Sequence, residues 1–471
     1  MRGATRSIHD LSLGAKKFRG ERTGRLRDAA AGLLSLRWAA TLGGGAALLF
    51  ASDAWAQTAA PGTPAGPAPA ASTTNPTASA PAKEPAPCKA TISLPALGGV
   101  IKQNPSPACV TIAGFGDIYV GDALTGYAYT ETNPFSASLA PPGVDGDRAA
   151  RADFSNLAAY IQTVDGPFQF FVQAGAYAIP SLGAPNYATF DQTDLLFGLL
   201  PVAFGKYVFN DSWSIQGGRL PTLIGTEAPF TFQNLNISRG LLFNQENIIN
   251  QGVQVNYANG PWSVSVAGTD GFFSGQISWL SGAITYKIDD SNTIGINGGL
   301  NVDRTNVLDH SLRYQFATPN LQQNSGIFDI NYAYSKGPWI VTPYFQFTNI
   351  PRDVSLGILQ SASTYGGAIL ASYAFTDNFA LAGRVEYETQ TGAPGSGTTS
   401  PLYGAGSSAL SFTITPTYTW NRYFLRGEYS RVELYDITRG SPASGALGTG
   451  FGRTGDGTSQ DRYMVETGVT F

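Results

Sequence analysis

The stretch Arg462-Tyr463-Met464-Val465-Glu466-Thr467-Gly468-Val469-Thr470-Phe471 constrains the fold more than any other. Tyr463, Val465, Val469 and Phe471 share one parity, and Met464, Glu466, Gly468 and Thr470 share the other. Successive side chains point to opposite faces of a strand, so this period of two predicts a strand. One face is apolar, the other is polar or small, and Phe stands last. That pattern predicts the closing strand of a transmembrane barrel, with apolar groups toward lipid and polar groups toward a lumen. On this reading Tyr463, Val465, Val469 and Phe471 form the signal for membrane insertion.

Composition agrees with a strand-built membrane protein. Only 13% of the 471 residues are charged, below the usual share of a soluble domain, while Gly (56 residues) and aromatics (12%) are abundant. No apolar run after residue 56 is long enough for a membrane helix. The class must therefore be argued from alternation, which is a weaker signal.

Residues 1–56 read as an export signal. Nine Lys/Arg precede the apolar stretch Trp38 to Ala51, and Ala54-Trp55-Ala56 supplies a small-x-small cleavage site. Its removal takes nine basic and four acidic residues, leaving 20 basic, 29 acidic and a formal charge of −9. No basic patch points to nucleic acid. Residues 57–112 form an Ala/Pro-rich linker and a periplasmic segment closed by its cysteines. Cys88 and Cys109 are an even, closely spaced pair in an exported chain, which favours a disulfide over a metal pair. His310 is the one His left to assist a metal.

From residue 113 to 471 the chain alternates short turns with longer segments. The turns are Asp165-Gly166, Asn210-Asp211-Ser212, Asn259-Gly260, Asp289 to Asn292, Lys336-Gly337, Thr376-Asp377-Asn378 and Asn421-Arg422. The longer segments are 131–150, 181–192, 221–248, 304–323, 350–360, 390–408 and 435–460, with a tight reversal at Phe273-Ser274-Gly275. Seven turns and eight loops predict an all-β transmembrane antiparallel barrel of about sixteen strands, with fourteen and eighteen as the neighbouring counts. The first strand is placed at 113–130, and the fourth at 194–209, where it carries Pro201. A barrel of this size is wide enough for an aqueous channel.

Alternation alone does not separate this barrel from a soluble sandwich. A weak repeat does: Tyr257-Ala258-Asn259-Gly260-Pro261-Trp262 parallels Tyr334-Ser335-Lys336-Gly337-Pro338-Trp339. Aromatics gathered beside short turns form an interfacial girdle, which a sandwich does not need.

A resemblance sharpens the reading. Gly205-Lys206-Tyr207, Gln216 to Gly225, Asn236 to Leu242, Glu246-Asn247 and Gln251 to Val255 resemble the OmpL-like beta-barrel porin family of bacterial outer membranes. Phe171 to Tyr177 and Asp270 to Phe273 fit as well, and the likeness spans roughly 113–471. It implies a water-filled channel for passive diffusion of small hydrophilic solutes, without naming a solute. The alternative is a structural or adhesive barrel without a wide open pore.

The most unusual segment is 221–248. Leu223, Ile224, Phe230, Phe232, Leu235, Ile237, Leu241, Leu242 and Phe243 make it too apolar to stand in water. It is expected to fold inward and narrow the lumen. Charges at the narrowest level matter most, because low-dielectric walls focus the field there. The constriction candidates are Arg219, Glu227, Arg239 and Glu246 on or beside this loop, with Asp329, Arg384, Glu386, Glu388, Arg426 and Glu428 facing inward by alternation. Arg384 beside Glu386, and Arg426 beside Glu428, would equally serve as structural pairs.

Nothing predicts an enzyme: His310 has no Gly-x-Ser-x-Gly elbow or assembled triad. No cofactor is expected. The partners implied are outer-membrane lipids, the barrel-assembly machinery, small hydrophilic solutes and, by fold analogy, two further copies in a homo-trimer.

Overall fold

The computed structural model describes residues 108–112, 116–163, 166–305, 320–394, 396, 398–441 and 443–470. Its strands are β1 Ala108–Ile112, β2 Gly116–Glu131, β3 Ala150–Thr163, β4 Phe168–Tyr177, β5 Val202–Val208, β6 Trp213–Pro221, β7 Ile249–Asn259, β8 Trp262–Thr269 and β9 Trp279–Lys287. β10 Asn292–Asn301, β11 Gly326–Lys336, β12 Trp339–Ile350, β13 Ala362–Ala374, β14 Phe379–Gln390, β15 Ser408–Trp420, β16 Tyr423–Tyr435 and β17 Ser459–Thr470 follow. Each of β2 to β17 pairs antiparallel with its sequence neighbours. β17 then returns to β2, with Val465 opposite Ala128 and Val469 opposite Leu124, and closes a barrel of sixteen strands. Closure removes the free edges that an open sheet of this length would expose.

β1 is an addition to the sixteen. The β17 ladder on β2 stops at Thr470 opposite Ala123, and β1 takes over the same edge with Ala108 opposite Val120. Pairing to the barrel thus reaches five residues before the start expected at 113. Cys88 and Phe471, and the Cys109 side chain, lie outside what the structure describes.

The strands are polar within and apolar without. Along β14, Arg384, Glu386 and Glu388 are buried, while Val385 and Tyr387 are each 49% exposed. β15 buries Ser411, Thr413, Thr415 and Thr417 and exposes Phe412 and Tyr418. A soluble protein would invert this order, so the outer face fits hydrocarbon as its solvent.

The short turns gather on one rim. There an aromatic beside four of the turns meets a Tyr across the strand pair: Phe168 with Tyr207, Trp213 with Tyr257, Trp262 with Tyr286 and Trp339 with Tyr373, at centroid distances of 4.6–4.7 Å. Gly260 and Gly337 both adopt φ +58°, the left-handed conformation that a two-residue hairpin turn demands. The sequence repeat is therefore one turn-and-girdle unit used twice.

The opposite rim carries loop 1 (132–149), loop 2 (178–201), loop 3 (222–248), loop 4 (270–278), loop 5 (302–325), loop 6 (351–361), loop 7 (391–407) and loop 8 (436–458). Loop 2 differs from expectation. Residues 194–201 are not strand: a short helix, α1 Thr189–Leu195, precedes β5, which starts at Val202. Pro201 therefore stands outside the ladder, where its missing N–H costs no strand hydrogen bond. Phe197 packs into the barrel interior, and the Tyr177 hydroxyl accepts its N–H at 2.9 Å.

Candidate functional site, the loop that crosses the lumen

Loop 3 leaves β6 and returns to β7, and between them it is almost wholly buried. Its hydrogen bonds show where it lies, because the partners are inward-facing residues of β3 and of every strand from β10 to β17. Thr231 meets Asn156 of β3 and Glu466 of β17. The Gly225 N–H is shared between Asn297 of β10 and Asp329 of β11. Gln346 of β12 donates to the Leu242 carbonyl and Thr364 of β13 to Gln245. Asn236 donates to Thr415 of β15. The loop spans the lumen rather than lying on the rim.

Its two sides meet different walls. Phe230, Phe232 and Phe243 join an apolar cluster with Tyr119, Tyr160, Phe171 and Phe204, which stack in a row across β2 to β5 at 5.8–6.0 Å. The other side meets the charged wall. Arg384 reaches Glu227 at 2.6 Å and Glu386 at 3.1 Å and donates to the Ser238 carbonyl at 2.8 Å. Glu227 also accepts the Gly240 N–H, and Glu386 accepts the Leu241 N–H and the Ser411 hydroxyl. Glu388 accepts from Gln245 at 3.1 Å.

The pair expected between Arg426 and Glu428 is replaced by two separate contacts. Arg426 binds Glu466 on β17 at 2.5 Å and donates to the Asn234 and Thr231 carbonyls. Glu428 accepts the Ile237 and Ser238 N–H groups. Neighbours two apart on one strand share a face, but the closest approach is across the ladder, where Arg426 stands opposite Glu466. Sequence reasoning left out Glu466, Arg462 and Glu131. The last two pair at 2.6 Å, and Arg462 donates to the Ser181 carbonyl of loop 2. The inward parity of Arg462 and Glu466 was the available signal.

The remaining candidates take three distinct positions. Arg239 staples the loop to itself, donating to the carbonyls of Ala228, Phe230, Asn236 and Ile237. Arg219 has the opposite parity to the buried Ser214 and Leu220; it donates to the Phe197 and Leu200 carbonyls and lies 5.1 Å from the Phe273 ring. It pins loop 2 and is not among the residues gathered around loop 3. Glu246 is 3% exposed, and neither carboxylate oxygen has a hydrogen-bond partner. It packs over Gly225 (φ +84°), where an added Cβ would sit 1.9 Å from a carboxylate oxygen. Burial, then the charges of Asp329, Glu227 and Glu386, push Glu246 well above the ordinary carboxylate range.

Among the described residues, ten buried carboxylates face four buried guanidiniums. Two of the ten, Asp147 and Asp270, lie in loops 1 and 4. Among the same residues no cluster of three or more His, Cys, Asp or Glu is arranged to hold a metal, and no helix is long and apolar enough to cross a membrane.

Residues 117–471 match the model of the family described as Putative beta-barrel porin-2, OmpL-like. The chain belongs to this family. A search of curated proteins returns no match. Solved structures with a similar trace include the outer-membrane channel DcaP of Acinetobacter baumannii, at 12% identity and TM-score 0.48, covering 75% of this chain and 97% of that one. The anion-selective porin from Comamonas acidovorans follows at 13% and 0.46, covering 75% and 99%. OmpT, an outer membrane protein of Vibrio cholerae, follows at 9% and 0.46, covering 75% and 97%.

Proposed function

We propose that this protein is an outer-membrane porin whose water-filled channel passes small hydrophilic solutes by passive diffusion. Loop 3 sets its narrowest section. The observation that carries the reading is a barrel apolar outside and charged inside, with one loop latched across its lumen. The turn rim faces the periplasm together with the N-terminal segment, and the loop rim faces outward, as short turns and long loops distribute in such barrels. Glu227, Arg239, Glu246, Asp329, Arg384, Glu386, Glu388, Arg426 and Glu428 shape the field at the constriction, and the acidic excess favours cations. Outer-membrane lipids surround the barrel, the assembly machinery inserts it, and three copies form the working unit.

The test is planar-bilayer recording of the purified protein. Stepwise channels are expected, with a reversal potential in a salt gradient that reports weak cation preference. The preference should shrink as salt rises, since the Debye length falls from about 10 Å at 0.1 M to about 3 Å at 1 M. Shortening loop 3 should raise conductance. One observation favours a second reading, a structural or adhesive barrel: loop 3 is hydrogen-bonded to β3 and to every strand from β10 to β17. Electrical silence of correctly folded protein, unchanged by loop deletion, would establish that reading instead.

A further inference from the structure

On the loop rim, loops 1, 2 and 4, the last residues of loop 3 and Gln322 of loop 5 line an open-mouthed cavity of about 300 Å³. Its wall is mainly apolar, with Leu195, Leu196, Phe197, Phe243 and Phe272 prominent, and Glu246 is the only charged residue lining it among those described. The groups acting on Glu246 are Asp329 from β11, Glu386 from β14 and Glu227 from loop 3, all acids, with the Tyr344 phenol of β12 close by. The nearby guanidinium, Arg384, is held by Glu227 and Glu386. The Glu246 oxygens are closed to solvent and lie against Gly225, so the side chain borders the cavity and its charge reaches a ligand there through the field rather than by contact. An apolar pocket beside an acid with no cation of its own rewards a ligand that brings both an apolar surface and a positive charge.

We infer that this cavity binds small amphipathic organic cations, an ammonium or guanidinium group on an aromatic or aliphatic body. The apolar wall takes the body, and the field of Glu246 and its acidic neighbours takes the charge. The inference rests on the porin reading for its role, a selective station at the outer mouth, but binding itself does not require conduction. Proton and cation compete for Glu246, so binding should tighten as pH rises and the carboxylate ionises.

The probe is phenethylammonium. Its comparators are 2-phenylethanol, which lacks the charge, 3-phenylpropionate, which reverses it, and tetramethylammonium, which lacks the ring. Calorimetry on the full-length protein folded in detergent measures binding, and block of bilayer current from the loop side measures occupancy. Phenethylammonium should bind at least tenfold tighter than each comparator, and tighter at pH 8 than at pH 5.5. Glu246→Gln should weaken it roughly tenfold, the scale of one unit charge about 12 Å away at an effective dielectric near 20. Leu195→Lys places a cation at the half-buried end of α1, on the cavity wall, and should weaken binding similarly. Equal affinity for the neutral or anionic probe, or indifference to both substitutions, would overturn the inference. Selective binding by a protein that never conducts would sink the channel reading and leave the site; conduction without discrimination would do the reverse.

Discussion

Replacing Arg384 by Met should unlatch loop 3 without unfolding the barrel. Arg384 holds Glu227 at 2.6 Å, Glu386 at 3.1 Å and the Ser238 carbonyl at 2.8 Å, and its side chain is 0% exposed. Met fills similar volume but leaves two carboxylates facing each other in a dry site. Removing one partner of a buried pair costs about 3–5 kcal/mol, because the remaining charge keeps its desolvation penalty. The wall strands stay paired in their ladders, so the penalty falls on the loop. At ~1.4 kcal/mol per decade, the opened population should rise by a factor of about 10² or more.

Trypsin reads that population. Arg239 is fully buried, so the Arg239–Gly240 bond can be cut only when the loop opens. When reclosing is fast, the cleavage rate follows the open fraction. Mass spectrometry of detergent-folded protein should show this bond cut about 10² times faster in Arg384→Met, while cuts at exposed loop arginines keep their rate. The sign of the pH effect follows from Glu227, which burial already raises above the usual carboxylate range. Without Arg384 it rises further. A raised carboxyl stabilises the latched state below the open-state pKa and ceases to do so as pH climbs through the latched-state value. The substitution should therefore loosen the loop more at pH 8 than at pH 5. Adding Glu227→Gln should restore much of the protection, since it removes one of the orphaned charges. Unchanged cleavage in the single variant, or a double variant as labile as the single, would refute the latch.

Three further outcomes are expected. Deleting Phe471 should sharply reduce heat-modifiable, membrane-inserted protein on gels, because the closing ladder runs to Thr470 opposite Ala123 and loses its last aromatic; normal insertion would count against the insertion signal. Mass spectrometry without reductant should recover a Cys88–Cys109 linked peptide and no free thiol, whereas two alkylated cysteines in fresh membranes would reject the disulfide. Gly225→Ala should lower the melting temperature of loop protection and speed cleavage after Arg239, since at φ +84° the new methyl meets the Glu246 carboxylate; an unchanged rate would show that the Gly225–Glu246 packing does not hold the loop.

What the amino-acid sequence discloses divides by range of interaction. Parity along a strand is local, so the inward placement of Arg384, Glu386, Glu388, Arg426, Glu428 and Asp329 is legible from the order of residues alone. So is the inward course of loop 3, because nine large apolar residues in one loop have few places to go. Register is not legible. Arg426 finds Glu466 forty residues away, and Glu131 finds Arg462 across the closing seam, because ladders set by turns bring those positions opposite. Helix α1 escapes notice because loop 2 reads as an extension of β5 by composition, with Pro201 the one residue arguing against it. The place of the Glu246 carboxylate depends on Gly225, twenty-one positions earlier, and no pattern along the chain links them.

Loop 3 also explains why its wall is charged on one side only. Apolar burial is non-directional: Phe230, Phe232 and Phe243 would pack against any apolar surface that the lumen offered. The aromatic row of Tyr119, Tyr160, Phe171 and Phe204 supplies that surface on β2 to β5, and alone it would let the loop slide. Directional contacts fix the crossing. Glu386 and Glu428 take backbone N–H groups of Leu241, Ile237 and Ser238, and Arg426 takes the carbonyls of Thr231 and Asn234. Hydrogen bonds to charged groups are worth more than neutral ones and keep their geometry. An apolar wall that draws the loop in, opposite a charged wall that sets its height and angle, gives the constriction a defined section. Among the buried carboxylates around the loop, Glu246, Asp329, Glu388 and Glu428 make no ion pair with an arginine, and Asp329, Glu388 and Glu428 instead accept hydrogen bonds from the loop itself.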